Sequence, residues 1–109
     1  MTDTPEARLA AAGYTLPTAA APVAAYVSAV EAGGMLYISG QISFAEDGSI
    51  ITGTVGDDLD TEAGKAAAVR CGLMLIAQMK AALGDLSRVG RVVKLGALVN
   101  STADYTAQP

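Results

Sequence analysis

Residues 35–43 read Met35-Leu36-Tyr37-Ile38-Ser39-Gly40-Gln41-Ile42-Ser43. In a pleated strand this order places Leu36, Ile38, Gly40 and Ile42 on one side and Met35, Tyr37, Ser39 and Gln41 on the other. The first set suits a core. The second carries hydroxyls and an amide to the end of the strand, where backbone gives way to loop and recognition is commonly found. Upstream, residues 26–31 form another alternating run, and Gly33-Gly34 separates the two. A Gly-Gly pair supplies the positive φ angles of a tight hairpin turn. Closing it predicts the pairs Ala32–Met35, Val30–Tyr37, Ser28–Ser39 and Tyr26–Gln41. Tyr26, Ser28, Tyr37, Ser39 and Gln41 would then share a face, which is either solvated or the floor of a site.

The 109 residues suffice for a single domain. The chain is 51% hydrophobic with a mean hydropathy of +0.38, more than a domain of this size can hide. The surplus predicts a partner surface, most simply a symmetric homo-oligomer. The net charge of −4, with seven scattered Lys and Arg against eleven acids, disfavours nucleic acid as a partner. No run reads as long enough to span a membrane, and the N-terminus lacks a basic-then-apolar leader pattern, so a cytoplasmic address is expected. The lone Cys71 fits a reducing compartment.

Several chemistries fall away. The sequence has no histidine, which removes Ser-His-Asp and Cys-His mechanisms. Zinc would lack its commonest ligands, and no metal site is expected. Gly33-Gly34 and residues 53–56 lack the lysine and the strand-to-helix setting of a phosphate loop.

Elsewhere, residues 6–12 read as a short helix capped by Thr4, with Pro5 at its first position and Gly13 beyond its end. Glu46-Asp47-Gly48 marks a turn, after which residues 49–52 would continue the sheet. The acids Asp57, Asp58 and Asp60 are either a metal cluster or a helix N-terminus. The second reading is preferred, since no calcium-loop pattern follows. A long helix is expected over 61–83, closed by Gly84. Its polar residues form no single face: Gln78 falls roughly opposite Glu62 and Lys80. Cys71 reads as a small packing residue. Residues 89–100 read as a further strand, with Val93, Leu95, Ala97 and Val99 on its apolar face and Lys94 on the other. Ser101 resembles a helix cap, with Asp104 three residues on and Tyr105 opening the helix.

The order of these motifs resembles the Rid family, the YjgF-type reactive intermediate or imine deaminases also labelled L-PSP endoribonucleases. The resemblance runs from about residue 20 to 109. It rests on Ala20-Ala21-Pro22, Tyr26-Val27, Gly33-Gly34, the run from Leu36 to Ile42 with its Ser39-Gly40-Gln41, and Asp47-Gly48 before Ile50. Ala67 and Leu75 on the helix, the run from Val92 to Leu95, Val99-Asn100 and Asp104-Tyr105 support it.

The resemblance implies an α+β, chorismate-mutase-like fold: a mixed sheet with helices on one face, associating as a homotrimer with ligand sites in the clefts between subunits. It implies hydrolytic deamination of enamines and imines of 2-keto acids, such as 2-aminoacrylate, with no metal or organic cofactor. The ligand would be a small anionic metabolite. Tyr26 would line the cleft, Ser39 and the Gly40 backbone would contact the ligand, and Gln41 would support the turn of the strand. Relatives usually continue through a second helix and two strands carrying a substrate-binding arginine and a glutamate. In that pattern both lie beyond Pro109, so no catalytic residue is assigned, and a chain without those strands would expose a sheet edge and part of its core. Ser43 stands where proline is common and Ala24-Ala25 where Gly-Pro is frequent. These departures suggest a divergent branch with an N-terminal arm over residues 1–22. Two other functions follow the same resemblance: a trimeric keto-acid-binding module without turnover, and a ribonuclease or translation inhibitor, which the acidic balance and missing histidine disfavour.

Overall fold

The computed structural model describes residues 3–22 and 24–109. Helix α1 spans Pro5–Ala11, displaced by one residue from the expected 6–12. Thr4 Oγ1 accepts a hydrogen bond from the Ala7 amide at 3.0 Å, satisfying one free donor of the first turn. Gly13, at φ 90°, carries the chain away from the helix.

Strands β1 (Ala29–Ala32) and β2 (Met35–Ile38) form an antiparallel hairpin in the expected register, with Ala32 opposite Met35 and Val30 opposite Tyr37. Gly33 and Gly34 take φ 60° and 79° in its turn, the geometry that matches strand twist. Half-buried Leu36 and Ile38 alternate with exposed Met35 and Tyr37. The Ser39 amide extends the pairing by one bond, to the Ser28 carbonyl at 2.9 Å.

Beyond that bond the expected shared face breaks up. Tyr26 lies outside the ladder, its amide donating to the Ala24 carbonyl at 2.9 Å. Past Ser39 the alternation inverts: Ser39 and Gln41 are half-buried, while Gly40 and Ile42 are exposed. With no partner strand to hold the pleat, backbone orientation is free to change, and the Gln41 amide turns toward other partners. Among the described residues the sheet is thus a two-stranded antiparallel one rather than the mixed sheet expected.

The Glu46-Asp47-Gly48 turn forms as read. Ala45 N reaches Ser49 O at 2.7 Å, Gly48 N reaches Ala45 O at 3.0 Å, and Asp47 Oδ1 accepts from the Ser49 amide at 2.9 Å. Residues 49–52 add no strand; Ile50 makes only an isolated bridge to Phe44.

Helix α2 spans Thr61–Leu83, as expected. Asp60 Oδ1 accepts from the Ala63 amide at 2.8 Å, and Gly84 closes the helix at φ 79°. Its buried stripe is Leu73, Met74, Ala77 and Gln78, two i,i+4 pairs laid side by side. The helix packs on both strands of the hairpin and on a single 3-10 turn, Leu86–Arg88. Val55, Leu73, Met74, Ala77 and Leu86 make up the buried apolar core. By length and composition α2 is long and apolar enough to cross a membrane, with a mean hydropathy of 1.4, contrary to the sequence reading. Core helices meet the same criterion, and here Arg70 and Gln78 of α2 are tied to backbone carbonyls of the packed protein.

The strand expected over residues 89–100 does not form. Residues 91–100 are exposed throughout, with Val93 at 68%, Leu95 at 69% and Leu98 at 103% relative accessibility. The alternation is strand-like, but a strand needs a neighbouring backbone for its N–H and C=O groups. Among the described residues this stretch finds one only at its end, where Asn100 O accepts from Val55 N at 2.9 Å. The helix expected from Ser101 is also absent among the described residues. Ser101 bridges Val55, Thr102 N donates to Val55 O at 3.0 Å and Tyr105 N closes a turn on Thr102 O at 3.2 Å. Tyr105 Oη lies 2.8 Å from Thr61 Oγ1, fastening this segment to the start of α2.

Candidate functional site

Ser39 and Gly40 sit where β2 leaves the hairpin. The Ser39 hydroxyl donates to the Ser28 carbonyl at 3.2 Å, leaving its lone pairs able to accept from a ligand. Gly40 is exposed, and nothing lies within 4 Å of the position a Cβ would take there. A ligand can therefore approach its backbone directly.

Behind this segment runs a chain of amides. Gln41 Nε2 donates to the Ser39 carbonyl at 3.1 Å, and Gln41 Oε1 accepts from Gln78 Nε2 at 3.2 Å. Gln78 Nε2 also donates to the Ala20 carbonyl at 2.8 Å. Gln78 is 4% exposed and is the buried polar residue of the described chain. A buried amide is costly unless hydrogen-bonded, and this one ties the N-terminal arm, helix α2 and the Ser39-Gly40-Gln41 segment together.

The structure thus brings Ser39, Gly40 and Gln41 together with Gln78, but leaves Tyr26 apart, 42% exposed and outside the hairpin. Sequence reasoning did not assign Gln78. Its signal was legible: an amide opposite the charged residues of α2, in step with Met74 one turn earlier.

Other reactive groups are occupied elsewhere. Asp58 Oδ1 accepts from the Thr54 amide at 2.6 Å and Asp60 caps α2, so these acids serve the loop and the helix terminus. Burial pushes the Cys71 thiol above its ordinary pKa, away from the thiolate that reactivity needs.

Two clefts flank α2. One, of about 200 Å³, lies between α1 and the C-terminal half of α2, with Leu9, Ile76, Met79 and Leu86 on its walls. The other, of about 570 Å³, is bounded by the N-terminal arm, the 44–48 turn and α2, with Phe44, Glu46, Arg70 and Met74 among its walls. Tyr26, Ser39 and Gly40 line neither.

Residues 6–109 match the family model described as "YjgF/chorismate mutase-like, putative endoribonuclease". The chain belongs to the YjgF family. It is 48% identical over 102 residues to Protein TCP17 of Trypanosoma cruzi, covering 94% of this chain and 64% of that protein. Among solved structures it resembles Atu1372 of Agrobacterium tumefaciens, a protein described as having unknown function. The TM-score is 0.83 at 41% identity, over 98% of this chain and 66% of that one. It also resembles a "putative endoribonuclease" of Shewanella oneidensis, with a TM-score of 0.73 at 40% identity, over 79% of this chain and 57% of that one. The fold is the YjgF/chorismate-mutase-like one, and the chain spans less than two thirds of the length of each of these relatives.

Proposed function

We propose that this YjgF chain supplies part of an imine-hydrolysing site, acting on enamines and imines of 2-keto acids such as 2-aminoacrylate. Water adds to the imine carbon, the carbon–nitrogen bond breaks, and ammonia leaves with a keto acid as the other product. Ser39 and the Gly40 backbone contact the ligand, Tyr26 lines a cleft formed between subunits rather than either cleft of the single chain, and Gln41 holds the turn. One observation carries this reading: the Gly40 backbone is exposed and unobstructed, while the adjoining Ser39 carbonyl is braced behind by Gln41 and Gln78. An exposed Gly40 amide beside a fixed Ser39 hydroxyl whose lone pairs can accept is the preorganisation that binding of a small polar ligand requires.

In this reading the protein is a cytoplasmic homotrimer and the site is completed between subunits. The apolar surface left on the hairpin, Val30 at 52% and Tyr37 at 59% exposed, supports such an association. Native mass spectrometry tests it, and a monomer at working concentration would remove the inter-subunit cleft.

The activity test is ammonia release from freshly generated 2-aminoacrylate. Ser39→Ala and Tyr26→Phe should each lower the rate, and an unchanged rate in both variants discards the assignment. A second reading, keto-acid binding without turnover, is favoured by one feature: among the described residues, no acidic or basic side chain hydrogen-bonds Ser39. It predicts stabilisation by 2-ketobutyrate with no ammonia released.

A further inference from the structure

Seven lysines and arginines occur in the chain. Among the described residues Arg8, Lys65, Lys80 and Arg88 are engaged in ion pairs. Arg91 and Lys94 lie on the fully exposed 91–100 stretch. Among the described residues Arg70 alone is both half-buried and without an ion pair, and it lies in the cleft of about 570 Å³.

Its orientation is set. Arg70 Nε donates to the Phe44 carbonyl at 2.7 Å, so the turn after β2 anchors the inner edge of the guanidinium. Among the described residues its two terminal nitrogens make no hydrogen bond. A guanidinium held by Nε is already oriented, and less freedom is lost when it binds a planar anion. The cleft around it is mostly apolar. Met74, 4% exposed, forms its base and receives the Ala20 amide on its sulfur at 3.4 Å. Phe44 and Pro17 add apolar walls, and Thr18 adds a hydroxyl. The volume falls in the range of small-molecule sites, about 300–1,000 Å³. Glu46 on the same cleft makes no ion pair with Arg70 and would repel a second negative charge.

We propose that this cleft binds a monocarboxylate bearing an apolar tail, its carboxylate on Arg70 and its tail against Met74, Phe44 and Pro17. The site lies within one chain and is separate from the Ser39-Gly40 segment. It is linked to that segment through Ala20, which lines the cleft and also accepts from Gln78. Ligand occupancy would therefore stiffen the arm that Gln78 ties to Gln41.

The chain has a single phenylalanine, so Phe44 ring resonances report on this cleft without ambiguity. Titrating the full chain with hexanoate should shift the Phe44 ring and Arg70 Nε–H signals saturably. Acetate, lacking the tail, and hexylammonium, lacking the carboxylate, should each bind at least about tenfold more weakly. Arg70→Lys keeps the charge but loses the fork and should weaken hexanoate by a similar factor. Glu46→Gln, which leaves Arg70 and its anchor untouched, should tighten binding. No saturable shift with hexanoate, or hexylammonium binding equally well, overturns the proposal, as does unchanged affinity in both Arg70→Lys and Glu46→Gln. Ser39→Ala should bind hexanoate as the parent does; loss of binding there would assign the shifts to the Ser39 segment and refute a separate site. Hexanoate binding without ammonia release would leave this site standing while the proposed hydrolysis failed.

Discussion

Replacing Gln78 with leucine removes a donor and changes little in volume. Two acceptors, the Ala20 carbonyl and Gln41 Oε1, lose the Nε2 bonds made at 2.8 and 3.2 Å. Each lost hydrogen bond costs about 0.5–1.5 kcal/mol net, and up to about 3 kcal/mol if the acceptor stays buried and unpaired. The leucine side chain recovers roughly 1 kcal/mol through apolar burial. The balance is a loss of about 2 kcal/mol. With a urea m-value of about 1–3 kcal/mol per M, the unfolding midpoint should fall by roughly 1 M. The effect should be coupled: because Gln78 and Gln41 bond each other, adding Gln41→Leu should cost less in the Gln78→Leu background than in the parent, by about 0.5 kcal/mol or more. Hydrogen exchange gives a local readout, since the Ser39 amide donates to Ser28 O and should lose protection once its brace is gone. A midpoint unchanged within error, or strict additivity with Ser39 protection intact, would refute the view that this amide chain organises the segment.

Two further outcomes follow from the geometry. Glu6 and Lys80 form an ion pair at 3.0 Å between α1 and the last turn of α2, and that hydrogen bond holds the Glu6 carboxyl below its ordinary value of 4.5. A depressed acid stabilises the fold above its unfolded pKa and loses that contribution as pH falls through the folded one. The stability difference between the parent and Glu6→Gln should therefore be present at neutral pH and vanish in acid below 4.5; a difference persisting at pH 2 would discount the pair. At Gly56, φ is 96° and an added Cβ would lie 2.6 Å from Thr102 Oγ1. Gly13 has a similar φ of 90° with nothing within 4 Å. Both alanine variants incur backbone strain of about 1–3 kcal/mol, but Gly56→Ala must also displace the 100–105 segment. Urea unfolding should show the larger loss at Gly56, and equal losses would mean that this segment is not docked on Val55.

Local chemistry made much of this protein legible. Thr4-Pro5, Gly33-Gly34, Asp60 and Gly84 each act over a few residues, through caps and positive φ angles, so the helices and the hairpin register could be read from spacing alone. The Ser39-Gly40-Gln41 order also pointed to the YjgF family. The alternating residues of 89–100 were equally strand-like, yet a strand depends on a partner backbone that no local pattern specifies. The same reason defeated the shared hydroxyl face: once the ladder stopped at Ser39, nothing local held Gln41 on Tyr26's side. Gln78 stood out in the sequence only as an amide opposite the charged residues of α2; its partners, and those of Arg70, were set when folding brought Gln41, Ala20 and Phe44 to them across 37, 58 and 26 residues of chain. Sequence by itself determined the elements that short-range sterics and capping dictate. Tertiary structure decided which polar side chains were buried, which were paired and which were left open to a ligand, because burial and pairing depend on neighbours remote in the chain.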